Sequence, residues 1–213
     1  MTKIKICGIT EVFYARAALE AGADLIGVVF APSPRQVTPE KAREIVSAIK
    51  EHKLPLVGVF VNTPAEIVNK VATFCGLDRV QLSGNETWEY CQQIEKPIIK
   101  AIRVSSKWSP ERLLKHLEKG HQLLGRKSIL YLIDTLAENQ YGGTGRAFDW
   151  GIAETAVSRF PLIIAGGLNA GNVGQVVAKL KPWGVDVSSG VETDGVKSIE
   201  KIRAFIQAVR SVS

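Results

Sequence analysis

Eight short runs of β-branched and aliphatic residues recur along the chain, and longer stretches of helical period separate them. The runs cover residues 3–7, 24–30, 56–61, 79–82, 97–102, 129–133, 162–165 and 185–187. Most are apolar at successive positions, as in strands buried on both faces. Such strands pair in parallel and are joined by right-handed crossovers. Two architectures satisfy this pattern: a closed barrel and an open doubly wound sheet. Eight evenly spaced units favour the barrel. A dinucleotide fold would also want a GxGxxG turn after its first strand. Here that strand ends Cys7-Gly8-Ile9-Thr10, which does not match. No linker or low-complexity segment interrupts the series. The expectation is an α/β fold, a single-domain (β/α)8 TIM barrel over residues 1–213.

The intervening stretches carry helix start signals. Thr38, Thr63 and Ser109 each place a hydroxyl before a proline at the first helical position. Thr63 with Glu66 also fits a capping box. A first helix over residues 10–21 ends at Gly22, and a short fourth helix is expected near 86–94. Asp149, Asn169 and Ser198 are candidate caps for the last three helices.

Composition excludes several classes. Apolar residues make up 46% and charged residues 23%, which a packed core requires and disorder does not supply. No apolar run approaches the ~20 residues of a membrane span. The opening Met1-Thr2-Lys3 leads straight into a strand, without a signal-peptide pattern. Cys7, Cys75 and Cys91 are odd in number and form no CxxC pair, which suits a reducing cytoplasm. The formal net charge of +6 is concentrated in residues 100–127, where eight Lys and Arg face only Glu111 and Glu118. Aromatic residues do not interleave with these charges as stacking platforms would, so a solvated helix face is expected and no nucleic-acid partner. His52, His116 and His121 all lie away from strand ends, so no metal site is expected.

A parallel barrel builds its active site at the carboxyl ends of its strands. Those ends carry Cys7, Arg35, Asn62, Gln81-Leu82-Ser83, Arg103, Asp134, Gly166-Gly167, and Asp186 with Ser188-Ser189-Gly190. The glycine-rich turns after strands 7 and 8 would expose backbone N–H groups to an anion. Gly142-Gly143-Thr144-Gly145 would add further donors. Cys7 is either a buried small hydrophobe or a reactive thiol. Asp134, directly after four apolar strand residues, either enters the site or caps a turn.

At these residues the chain resembles a known family. Residues 5–10 (KICGIT), 30–37 (FAPSPRQV), 142–150 (GGTGRAFDW) and 185–192 (VDVSSGVE) match, in order, the motifs of phosphoribosylanthranilate isomerases of tryptophan biosynthesis. The blocks 57–62, 80–82, 133–135 and 165–169 fit as well, so the resemblance spans the chain. It implies a cofactor-free Amadori rearrangement of N-(5-phosphoribosyl)anthranilate to 1-(2-carboxyphenylamino)-1-deoxyribulose 5-phosphate. By resemblance Cys7 is the general base, Asp134 the general acid, and Arg35 the partner of the anthranilate carboxylate. Gly166, Gly167, Ser188, Ser189 and Gly190 hold the phosphate, and Gln81, Gly143 and Asp186 are candidate substrate contacts. A monomer or homodimer acting on a small phosphosugar, with no membrane partner, is implied. One departure stands out: Ser83 occupies the place where the family usually has histidine.

Three other readings compete. A histidine-pathway sugar isomerase would carry aspartate where Cys7 stands. A Schiff-base lyase would use a strand lysine, for which Lys100 is the candidate. A catalytically silent phosphosugar binder would not need Cys7 and Asp134.

Overall fold

In the computed structural model, residues 1–52, 54–105, 107–125, 127–135 and 150–212 are described. Eight parallel strands close into a barrel in chain order. They are β1 (Lys3–Cys7), β2 (Leu25–Val29), β3 (Leu56–Phe60), β4 (Arg79–Leu82), β5 (Ile98–Val104), β6 (Ile129–Thr135), β7 (Leu162–Ala165) and β8 (Gly184–Val187). β8 pairs with β1, which closes the ring. Two strands run further than their apolar pattern indicates. β5 reaches Val104 and β6 reaches Thr135, so Arg103 and Asp134 are strand residues in register with each other.

Around the barrel lie α1 (Val12–Ala21), α2 (Pro39–Ile49), α3 (Ala65–Cys75), α4 (Trp88–Gln92), α5 (Pro110–Leu124), α6 (Glu154–Val157), α7 (Val173–Leu180) and α8 (Ile199–Arg210). Thr38, Ser109 and Ser198 cap as expected: each hydroxyl accepts from a backbone N–H three residues on. Thr63 does not. Pro64 occupies the cap position of α3, the Thr63 hydroxyl donates to Val61 O, and Glu66 pairs instead with Lys70. Asn169 is also not a cap. It and Asn172 bond reciprocally within a turn, which delays α7 to Val173. The first helix starts at Val12, two residues later than its pattern, after Glu11, whose side chain makes no cap bond and pairs instead with Lys41. The fourth helix is only Trp88–Gln92, capped by Thr87, which leaves Glu86 outside it. Asp149 lies outside the described residues.

Strand alternation sorts the core into two clusters. Leu25, Val57, Ile99, Ala101, Leu130, Leu132, Ile163 and Ala165 fill the barrel interior. The opposite strand face packs on the helices: Leu113, Leu117 and Leu124 of α5 are buried there, beside Trp88 and Tyr131. Three cations of the basic segment are engaged with protein groups. Lys100 is buried against Glu86, Lys127 donates to the carbonyls of Gln92 and Ile94, and Arg112 lies over the Trp108 ring. His116 packs on the Trp88 and Trp108 rings. Cys75 and Cys91 are buried helix residues, and burial pushes both thiols up to about 11. No described helix is long and apolar enough to cross a membrane.

Candidate active site

Alternation along β1 puts Lys5 and Cys7 on one face, aimed into the barrel. Lys5 stands in register with Asp186 on β8, and its Nζ donates to Asp186 Oδ1 at 2.7 Å. Lys5 is 1% exposed. Cys7 stands in register with Gly27 on β2. A Cβ on Gly27 would come 2.8 Å from Cys7 Sγ and 3.1 Å from Lys5 Nζ. A glycine is required there, because those two atoms occupy the space a side chain would fill.

Beside this group, at the carboxyl ends of the strands, is a pocket of about 330 Å³. Its wall includes Gln81, Ser83, Asp134, Gly166, Gly167, Asp186, Ser188, Ser189 and Gly190. Gly166 and Gly167 have φ of 89° and 64°, a left-handed pair that turns β7 sharply toward α7. Asn172 Nδ2 holds that turn by donating to Gly167 O at 3.0 Å. Gln81 Nε2 donates to Ser83 Oγ at 3.0 Å. Gln81 Oε1 is buried without a partner among the described residues.

The electrostatics of the two candidate acid–base groups are opposite in consequence. Burial, then the neighbouring Asp186 carboxylate, raises the Asp134 pKa, and Arg103 offsets this only partly. A carboxyl whose pKa is raised keeps its proton to higher pH than a free one. Burial also raises the Cys7 thiol, with Asp186 adding to it, while Lys5 and Lys197 pull it down. On balance the thiol pKa is raised, which favours the thiol over the thiolate.

Arg35 is not on the pocket wall. Its guanidinium forms a fork with Glu192, Nε to Oε1 at 2.6 Å and Nη2 to Oε2 at 2.5 Å. Glu192 also accepts from Lys197 Nζ at 2.6 Å, and Lys197 reaches Ser188 O at 2.9 Å. These come from a hairpin, β9 (Glu192–Thr193) and β10 (Val196–Lys197). Asp194 and Gly195 turn it, with φ of 53° and 80°. Asn62 faces the β4 loop, where its Oδ1 accepts from Asn85 N. Gly143 and the rest of its glycine-rich run lie outside the described residues.

The structure thus brings Gln81, Asp134, Gly166, Gly167, Asp186, Ser188, Ser189 and Gly190 to one pocket. Cys7 sits next to it through the Lys5–Asp186 pair, and Arg35 rests to one side on Glu192. Sequence reasoning missed Lys5, Glu192 and Lys197. The two-residue spacing of Lys5 and Cys7 and the Asp194-Gly195 turn were the available signals. Among the described residues no group of three or more His, Cys, Asp or Glu could hold a metal ion. The arrangement brings together a buried carboxyl with a raised pKa, a thiol beside a cation, and two turns of small residues at the ends of β7 and β8.

Comparison with known proteins gives a consistent result. The family model for N-(5'-phosphoribosyl)anthranilate (PRA) isomerase matches residues 4–208. An N-(5'-phosphoribosyl)anthranilate isomerase of Dehalococcoides mccartyi is 48% identical over 212 residues, covering 99% of this chain and 96% of that one. The enzyme of the same name from Desulforamulus reducens is 45% identical, covering 100% and 97%. The crystal structure of phosphoribosyl anthranilate isomerase from Thermotoga maritima superposes with a TM-score of 0.85 at 38% identity, covering 99% of this chain and all of that one. A further isomerase structure, in complex with reduced 1-(O-carboxyphenylamino)-1-deoxyribulose 5-phosphate, superposes at 0.81 with 35% identity, covering 99% and 100%.

Proposed function

The chain belongs to the N-(5'-phosphoribosyl)anthranilate isomerase family and is an enzyme of that step in tryptophan biosynthesis; from this premise we propose that Asp134 is its general acid and Cys7 its general base. The observation that carries the proposal is the raised pKa of Asp134 in a pocket lined by Gly166, Gly167, Ser188, Ser189 and Gly190.

Protonated Asp134 donates to the furanose ring oxygen, and the ring opens to a Schiff base with the anthranilate nitrogen. Cys7, as thiolate, removes the proton from C2 of the sugar. The resulting enolamine tautomerises to the ketone. The turns at Gly166-Gly167 and Ser188-Ser189-Gly190 hold the phosphate end, and Gly143 adds a donor from its own run. Arg35 takes the anthranilate carboxylate by exchanging it for Glu192, whose carboxylate occupies the same fork. Gln81 and Asp186 contact the sugar between these anchors, and the buried Gln81 Oε1 is free to accept from a hydroxyl. Fixing both ends sets the geometry at the carbon that reacts. Ser83 puts a hydroxyl bonded to Gln81 where the family usually has an imidazole, which alters packing or a substrate contact and leaves acid and base in place.

The alternative readings are less well supported. The strand 1 position that a histidine-pathway isomerase would fill with aspartate is Cys7. Lys100, the candidate Schiff-base lysine, is directed away from the pocket and pairs with Glu86 at 2.7 Å. We read residues 1–213 as one domain, because strands from Lys3 to Val187 close one ring. The described site comes from one chain, so catalysis works in a monomer or homodimer; the Thermotoga maritima protein is known as a dimer and as monomers made from it. Three buried free cysteines favour a cytoplasmic location.

The test is turnover of freshly prepared phosphoribosylanthranilate, followed as loss of anthranilate fluorescence. Cys7→Ala is expected to lower kcat by about 10² or more while KM stays within a few-fold. Wild-type kcat in that variant removes Cys7 from the base role.

A further inference from the structure

A thiol base in a dry barrel needs a counter-charge, because burial disfavours a lone thiolate. The groups that face Cys7 are Lys5 on its own strand, Asp186 on β8, Lys197 on β10 and Arg35 from the β2 loop. Arg35 and Lys197 are both already bound to the Glu192 carboxylate. Lys5 differs from them in two respects. It is fully buried, and its ammonium shares the space beside Gly27 with the sulfur, 3.1 Å and 2.8 Å from the same point. At rest its Nζ donates to Asp186 Oδ1, at 2.7 Å. The ammonium therefore lies between two acceptors, a carboxylate on the pocket wall and a sulfur behind it.

We propose that Lys5 is the positioning residue of the reaction, a buried cation that Asp186 holds beside Cys7 and that moves onto the sulfur as the thiolate forms. The proposal rests on Cys7 being the base. The thiol proton leaves to solvent, and the thiolate gains the Lys5 hydrogen bond. The thiolate then takes the C2 proton of the substrate. The C–H electron pair forms the C1–C2 double bond, and the C1–N π pair returns to the anthranilate nitrogen. Cys7 is a thiol again, and the Lys5 ammonium goes back to Asp186. Lys5 gains and loses no proton in the cycle. Burial works against its ammonium, but Asp186 and Cys7 outweigh that and keep its pKa above the ordinary value. Gly27 follows from the same geometry, since any larger residue would fill the space the cation needs.

The test is the thiolate absorbance of the ligand-free enzyme near 240 nm as pH rises, with Cys7→Ala as the blank. Cys75 and Cys91 titrate at about 11 and cancel in the difference. Lys5→Met is expected to move the Cys7 midpoint up by about one unit or more, a roughly tenfold loss of thiolate at fixed pH. Its kcat near pH 8 falls in proportion, recovers as pH rises, and leaves KM little changed. Asp186→Asn, which frees the ammonium for sulfur, moves the midpoint down. If Lys5→Met does not fold with Asp186 stranded, the double variant Lys5→Met/Asp186→Asn replaces it. Its midpoint should lie about a unit or more above that of Asp186→Asn alone. Equal midpoints with and without Lys5 overturn the proposal. Such a result leaves the base assignment standing as long as Cys7→Ala has lost turnover.

Discussion

Lys100→Met separates a structural role for this lysine from a chemical one. Lys100 lies on the helix-facing side of β5. Its Nζ donates to Glu86 Oε2 at 2.7 Å and to Gly84 O at 2.9 Å, and the two side chains are 6% and 2% exposed. Glu86 in turn accepts from the backbone N–H of Asn62 and Gly84. One ion pair thus ties the ends of β3 and β4 together. Methionine preserves the length and apolar stem of the lysine but leaves Glu86 buried without its cation. Breaking a buried pair from one side costs about 3–5 kcal/mol. The two backbone donors still solvate the carboxylate, so we expect about 3 kcal/mol. For a chain of this size that lowers Tm by about 6–12 °C. The double variant Lys100→Met/Glu86→Gln removes both charges and should recover most of the loss. Urea denaturation of the wild type, both single variants and the double variant closes the cycle. The folded single variant should keep kcat, because Lys100 does not face the pocket. A loss below about 1 kcal/mol refutes the burial argument. A collapse of kcat in folded protein revives the Schiff-base lysine.

Other outcomes follow from the same structure. Cys75→Ala and Cys91→Ala should leave kcat unchanged, since both thiols are buried away from the pocket; a tenfold loss in either would relocate the thiol chemistry. Inorganic phosphate or sulfate should compete with substrate, and a crystal grown with either should show the anion against Gly167 and Ser189; an anion found only along α5 would favour the basic segment as its site. Asp134 has a folded-state pKa above its unfolded value, so the folded state binds more protons and stability falls as pH rises through that window. Asp134→Asn should therefore be more stable than wild type at pH 7–8 in thermal denaturation, with the difference gone near pH 4. Glu86 has the opposite sign. Burial opposes it, but Lys100 and backbone donors hold its pKa below the ordinary value, so its contribution is present at neutral pH and lost below about pH 4.

The barrel was legible because its signal repeats. Eight runs buried on both faces leave few alternatives; three observed strands match their runs end to end and the other five depart by one or two residues at an end. Caps were legible where the hydroxyl oxygen stays turned to the first helical turn, as at Ser109 and Ser198, which accept from the N–H of Arg112 and Lys201. At Thr63 the chain has just left β3 through Asn62, at a φ of 50°, and this turns the hydroxyl back to Val61. At Asn169 a second asparagine three residues on makes a competing turn. Glu86 falls within a helical pattern in the sequence, because nothing local marks its partner 14 residues away. The catalytic candidates were found by position at strand ends and by family motif. Their supports, Lys5, Glu192 and Lys197, are partners across strands and hairpins. A linear pattern shows such partners only when the register is already known.

The account turns on Asp134 being an acid and not a turn cap. Asp134→Asn keeps the size and shape of the side chain but cannot give up an acidic proton. The direct measurement is kcat of this variant with phosphoribosylanthranilate, beside its affinity for a reduced product analogue. The expected result is a loss of about 10² to 10⁴ in kcat with the analogue bound almost as before. Turnover at the wild-type rate would contradict it and make Asp186 the next candidate acid.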